Sequence, residues 1–364
     1  MPERPGQQRR TYLDVLRGLA VLVMIEAHII DSWTRVADRR ATAFGVSLII
    51  GGFGAPLFLF LAGVAVPLSA GSKARRLGDA HAAARLVERR GFEIFLLAFL
   101  FRLQAVILSR SPLWTLLKVD VLNIMGPAIM GAALLWSLCR SSRARIAAFA
   151  AATAAIALFT PIVRDMAWLG ALPPYVQGYI RPVPGWTNFT FFPWAGFVAA
   201  GAIIGTLLDD ARSAGAEWRL NFGLALAGLL LAAGGYGASF LPSPYHSSSF
   251  WTSSPCFFFL RAGVMTLSVA LAYTWERRAS AGRRWSPMRL LGRSSLFIYW
   301  IHVEMVYGLI SLPLHGALPL GGSWTALVVF SAFMVVCALL KDRVKQIWRE
   351  RPMGGSVARH SSAV

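Results

Sequence analysis

The chain has 364 residues, 56% of them hydrophobic and 15% charged, with a mean hydropathy of +0.56. That balance excludes an ordinary soluble domain and points to a protein with much of its surface in lipid. A net charge of +19 would suit nucleic acid, but the Lys and Arg residues sit in short clusters between apolar runs, as topology signals do, so no nucleic-acid partner is expected.

Runs apolar enough to span a bilayer fall near 12–31, 43–69, 90–109, 117–139, 146–163, 189–208, 220–240, 255–275, 291–311 and 322–340. The expected fold is all-α, a polytopic transmembrane helical bundle of about ten spans. It divides into a basic N-terminus (1–11), one transmembrane domain (12–340) and a basic tail (341–364). Loops such as "SKARRL", "RSSRAR" and "ERRASAGRRWSPMR" alternate with Pro-, Ser- and Trp-rich loops such as "LPSPYHSSSFWTSSP". The positive-inside rule then puts both termini in the cytoplasm, and an even number of spans closes that assignment.

The first span, "YLDVLRGLAVLVMIEAHIIDSW", carries Asp14, Arg17, Glu26 and His28 into an apolar run. Charges at bilayer depth cost at least about 2.5–3.5 kcal/mol on insertion scales, so they persist where they face the bundle interior or a wet cavity. Arg17 and His28 are eleven residues apart, which returns to within about 20° of one direction with a rise of about 16 Å. They share a face, with Arg17 in the inner half of the membrane and His28 toward the outer half. Glu26 lies about 200° from His28 and needs a separate partner. Arg17 suits phosphate binding, but also snorkelling or pairing with Asp14 at i−3. His28 suits general-base chemistry on a hydroxyl or amine, but also a hydrogen bond between two helices.

Cys139, Cys256 and Cys337 are isolated, with neither a disulfide framework nor a metal-ligand spacing. No Gly-rich phosphate loop, His-Glu-x-x-His or Gly-x-Ser-x-Gly occurs, and no metal is expected. Gly201 and Gly205 in "FPWAGFVAAGAIIGTL" allow close helix packing, and such seams are compatible with a homodimer.

"LDVLRGLAVLVMIEAH" resembles the opening helix of the large membrane acyltransferase families, where an Arg, ten residues and a His mark the first span. "GGFGAPLFLFLAGVAVPLS", "FFPWAGFVAAGAIIG" and "LLGRSSLFIYWIHVEMVYG" resemble, in order, three later segments of one branch. That branch is related to heparan-alpha-glucosaminide N-acetyltransferase and includes bacterial relatives. The resemblance runs from Tyr12 to Ile310. In the acetyltransferase an Asn aligns with His28 and the reactive His follows in a luminal stretch. The corresponding "IIDSWTRVADRRA" contains none, so the chain joins that scaffold to the Arg and His of the wider acyltransferase group.

The resemblance implies an integral membrane acyltransferase, sited in a bacterial inner membrane. It would move an acyl group, acetyl foremost, from cytoplasmic acyl-coenzyme A to a sugar hydroxyl or amine of a glycan at the outer side. His28 or His302 would then act as general base or acyl carrier, with Arg17 on the first helix. Arg89 and Arg90 at an inner mouth, the deeper Arg102, and Arg293 would hold coenzyme A phosphates, although topology signals and headgroup snorkelling look alike for them. Asp14, Glu26, Asp120, Asn123 and Tyr299 would orient an acceptor or bond neighbouring helices. Glu26 and Glu304 call for a buried partner such as Arg261 or Arg102. His81, His246, His315 and His360 fall in loops or the tail and are expected to be solvated.

A second reading is a proton- or ion-coupled transporter or flippase that uses the intramembrane Glu, Arg and His residues. A transporter does not need coenzyme A, which separates the two. A membrane scaffold, the third, leaves the cost of several intramembrane charges unexplained.

Overall fold

The structure, a computed structural model, describes residues 10–279 and 286–350. Expectations for 1–9, 280–285 and 351–364, including His360, lie outside the described residues. In chain order the helices are α1 (Thr11–Trp33), α2 (Thr42–Gly51), α3 (Gly54–Leu77), α4 (Ala80–Leu108), α5 (Val121–Leu138), α6 (Ser142–Asp165) and α7 (Pro174–Ile180). They continue with α8 (Phe191–Asp210), α9 (Ala214–Ala238), α10 (Pro255–Ala279), α11 (Pro287–Arg293), α12 (Ser295–Tyr307) and α13 (Leu320–Glu350). Among the described residues, extended pairing is confined to two isolated bridges, Thr34 with Leu318 and Val119 with Thr187. The protein is an all-α transmembrane bundle.

Local chemistry sets many of the boundaries. Gly78, at φ +71°, ends α3 in the left-handed region, and the next residue, Asp79, caps α4 by accepting from the amides of His81 and Ala82. Those amides, Ala82 first, hold the Asp79 carboxyl below the usual carboxylate range. Ser141 and Ser213 cap α6 and α9 in the same way. Beyond α1, Asp38 accepts from the backbone amide of Leu320 at 2.8 Å and so satisfies the start of α13.

Among the described residues, eight segments are long and apolar enough to cross a membrane, with α2 and α3 counted as one, Thr42–Leu77. The other two expected spans are α1, which carries Asp14, Arg17, Glu26 and Asp31, and the pair α11 and α12. Two spans expected as continuous are therefore broken. The 43–69 segment breaks at Gly52 and Phe53, where Gly51 meets Ala27 and Glu26 so closely that a Cβ would fall 2.7 Å from the Ala27 Cβ. The 291–311 segment breaks at Ser294 and ends as α-helix at Tyr307.

α1 is the central element. Its Leu13, Leu16 and Ala20 belong to one apolar core with Phe60, Phe149 and Phe197. Its Val21, Ile25 and Ile29 belong to a second core with Ile298, Val306 and Met334. Glycines bring backbones into contact: a Cβ on Gly63 would lie 2.0 Å from the Val198 carbonyl oxygen, and one on Gly201 would lie 1.9 Å from that of Phe60, so α3 and α8 pack at the closest approach glycine permits. At one end of the bundle Arg10 reaches Glu217 and the carbonyls of Leu208 and Ala211, Tyr12 donates to Glu217, and Arg75 makes a bidentate pair with Asp209. Exposed apolar residues such as Phe222 and Leu230 on α9 and Val328 and Val329 on α13 give the outward faces expected against lipid tails.

Candidate active site

A cavity of about 1070 Å³ lies among α1, α3, α4, α5 and α12. Three helices run along it. α1 lines it from Arg17 to His28, α4 from Arg90 to Arg102 and α12 from Ser295 to Tyr307. At 1.5 Å per residue each pair spans about 16–18 Å, more than half of a hydrocarbon core of about 30 Å. Arg17, Arg90 and Ser295 occupy one end, and His28, Arg102 and Tyr307 the other.

The histidines meet through the packing of α1 on α11. A Cβ on Gly18 would fall 2.1 Å from the Met288 carbonyl oxygen, and one on Gly292 would fall 1.9 Å from that of Asp14. That contact lays α12 beside α1. On α12 the buried stripe Ile298, His302 and Val306 faces α1, while Tyr299, Val303 and Tyr307 line the cavity, as the helical repeat dictates. His28 Nδ1 and His302 Nε2 are 3.0 Å apart, with ring planes only 8° from parallel. The other ring nitrogen of His302 is 2.7 Å from the Ile298 carbonyl oxygen. His28 is partly buried and lines the cavity, whereas His302 is fully buried behind it. Tyr307 packs edge-on to His28 and donates its hydroxyl to Asp31.

Arg17 lies 3.4 Å from Asp14, and Asp14 is buried away from the cavity. Arg90 lines the cavity while pairing with Glu93 at 2.9 Å. Arg89 and Arg293 are exposed and do not line it. Arg102 makes a 2.7 Å ion pair with Asp120 at the far end. Asp120 also caps α5, with Asn123 reciprocating onto its backbone amide. These two residues therefore form a capping box at the start of α5, one helical turn apart at the outer end of the fourth span. Asn123 is buried and donates to the Tyr179 hydroxyl at 3.3 Å.

Three sequence-based expectations need correction. Glu26 is buried, and among the described residues neither carboxylate oxygen has a hydrogen-bond partner. Arg102 is taken by Asp120, and the Arg261 guanidinium stacks 4.0 Å above the Phe257 ring. Glu304 pairs with neither arginine and accepts from the Ser109 hydroxyl at the cavity wall. His315 is partly buried, within hydrogen-bond reach of Ser311 and the Val306 carbonyl, because the chain folds back after α12. His81 and His246 are exposed as expected.

Sequence reasoning missed Lys118, Ser109, Tyr307 and Asn188, which all line the far end. Lys118 carried a usable signal: it is a lysine on the side whose other basic residues are arginines, while Lys73, Lys341 and Lys345 lie in the basic clusters of the opposite side. Among the described residues, no group of three or more His, Cys, Asp or Glu is arranged to hold a metal. Chemically, the cavity joins guanidinium groups at one end to an imidazole, a carboxylate and an ion pair at the other. A long anionic molecule held at the first end can present a reactive group at the second.

The family model described as heparan-alpha-glucosaminide N-acetyltransferase, catalytic, matches residues 9–237. No curated protein matches the chain. The matched region includes Arg17, His28, Arg90, Arg102 and Asp120, while His302 and Glu304 lie beyond it.

Proposed function

From the premise that the chain belongs to the heparan-alpha-glucosaminide N-acetyltransferase catalytic family, a family of membrane N-acetyltransferases, we propose that it transfers an acyl group from acyl-coenzyme A to a sugar amine or hydroxyl across a bacterial inner membrane. Acetyl is the acyl group the family favours. The observation that carries this reading is the continuity of the cavity from Arg17 and Arg90 to His28. The coenzyme A phosphates suit the guanidinium end, where charge-assisted hydrogen bonds are strong. The flexible arm between those phosphates and the thioester suits the distance to His28. Positive-inside topology makes the Arg17 end cytoplasmic, so the donor approaches from inside and the acceptor from outside.

In this reading His28 is the general base, because of the two histidines it is the one that lines the cavity. His28 and the acceptor end share one chamber, which supports direct transfer over an acyl-histidine intermediate. Tyr299 forms part of the wall beside the reacting groups. Asp120 and Arg102 hold each other at the acceptor end, with Asn123 as support behind.

The transporter reading rests mainly on Glu26, an unpartnered intramembrane carboxylate. Binding of coenzyme A to the detergent-purified protein distinguishes the two. The acyltransferase reading predicts saturable binding, weakened about tenfold or more by Arg17→Gln or Arg90→Gln, since a charged hydrogen bond contributes about 1.5–3 kcal/mol. Absence of binding to the folded protein would move the assignment to the transporter.

A further inference from the structure

We propose that His302 is a positioning residue that fixes His28 as the Nδ1–H tautomer, leaving the His28 Nε2 lone pair as the base. The inference rests on the reading of His28 given above. It starts from the Ile298 carbonyl, which can only accept a hydrogen bond, so the His302 Nδ1 at 2.7 Å must carry a proton. In a neutral ring Nε2 is then an acceptor. The group facing it at 3.0 Å is His28 Nδ1, which must donate. That leaves His28 Nε2 without a proton.

The alternative, a His302 imidazolium donating from both nitrogens, would put the His28 proton on Nε2 and remove the base. Burial argues against it. His302 is 0% exposed, and among the described residues neither ring is hydrogen-bonded to a carboxylate: the ring partners are each other and the Ile298 carbonyl, while Asp31 accepts from Tyr307 and Glu304 from Ser109. An imidazolium there would be a fully buried charge without a counter-ion. The 5.1 Å centroid separation is close to the largest that a 3.0 Å nitrogen contact allows, so with near-parallel planes the His28 Nδ1–H bond runs near the plane of the His302 lone pair, the geometry such a bond prefers.

In the transfer step the acceptor's N–H or O–H proton passes to His28 Nε2 as the acceptor lone pair bonds to the thioester carbonyl carbon. The carbon–sulfur bond breaks, and the departing thiolate takes the proton from Nε2. An acceptor that begins as an ammonium first loses one proton to water. His28 ends as it began, and His302 accepts from Nδ1 throughout. The pair thus acts as a His–His–carbonyl chain in which the second histidine never meets substrate. Part of this machinery, His302, lies outside the region matched by the family model.

The test is ¹⁵N spectroscopy of histidine-labelled, full-length protein in detergent, beside steady-state kinetics. The wild type should show two Nδ1–H histidines, one of which disappears in His28→Asn. In His302→Phe the His28 ring should shift to the Nε2–H form, with kcat down about 10²-fold or more and KM for both substrates little changed. His302→Gln, whose amide can accept from His28 and donate to Ile298, should restore the Nδ1–H signal and most of kcat. A wild-type His28 with its proton on Nε2, or a His302→Phe protein that keeps both tautomer and kcat, would overturn the proposal. If His302→Phe does not fold, the wild-type spectrum and His302→Gln still decide it. A wild type inactive on every acceptor would instead count against the acyltransferase reading, and the tautomer result would stand apart from it.

Discussion

At the scale of single residues, Arg17 and His28 could be placed on one helical face from sequence alone, because eleven residues nearly complete three turns. Their separation along the cavity follows from the same arithmetic. The partner of His28 could not be read, because it depends on Gly18 and Gly292 letting α1 and α11 touch, a contact between segments far apart in the chain. Glu26 failed for a related reason: spacing shows that it points away from His28, but not that nothing hydrogen-bonds it. A carboxylate buried without a partner opposes stability, and a side chain of similar volume without charge removes that cost. Glu26→Met should therefore raise the thermal unfolding midpoint in detergent and leave acetyl transfer intact. A lower midpoint would mean that Glu26 makes a stabilising contact, and loss of transfer would give it a role in the chemistry.

At the scale of elements, the number and order of the spanning segments were legible, while the breaks within them and the short α7 were not. Hydropathy averages over a window, so the interruptions at Gly52 and Ser294 vanish into runs apolar on both sides. These are the breaks that bring the cavity wall and the His302 stripe against α1. The seam between α3 and α8 was partly legible in Gly201 and Gly205, whose spacing of four puts both on one face. With a Gly201 Cβ only 1.9 Å from the Phe60 carbonyl oxygen, any larger side chain must push the helices apart. Gly201→Val should destabilise the bundle by about 1–3 kcal/mol or more, read as a lowered midpoint in a thermal-shift measurement. Gly223→Val, at a site with nothing within 4 Å, should have little effect and serves as the control. Equal tolerance of the two substitutions would contradict the close packing of α3 on α8.

At the scale of the whole molecule, alternation of basic and Pro-rich loops implies a direction across the membrane, and under the proposed transfer the Arg17 to His28 axis would make that direction the path of the acyl group. Single cysteines on a background without the native three should report it in intact cells. Ser248→Cys, in the exposed loop after α9, should react with an impermeant maleimide, and Arg212→Cys, between α8 and α9, only after permeabilisation. The reverse pattern would put the arginine end of the cavity on the outside and remove cytoplasmic donor binding. The central claim is that His28 serves acyl transfer from coenzyme A in this cavity. Its most direct test is release of free coenzyme A from acetyl-coenzyme A by purified protein, with a panel of amino sugars and acetylatable glycans, for wild type and His28→Ala. The account predicts acceptor-dependent turnover that falls about 10²–10⁴-fold in the variant, whose unfolding midpoint stays near that of the wild type. Undiminished turnover in His28→Ala would contradict it.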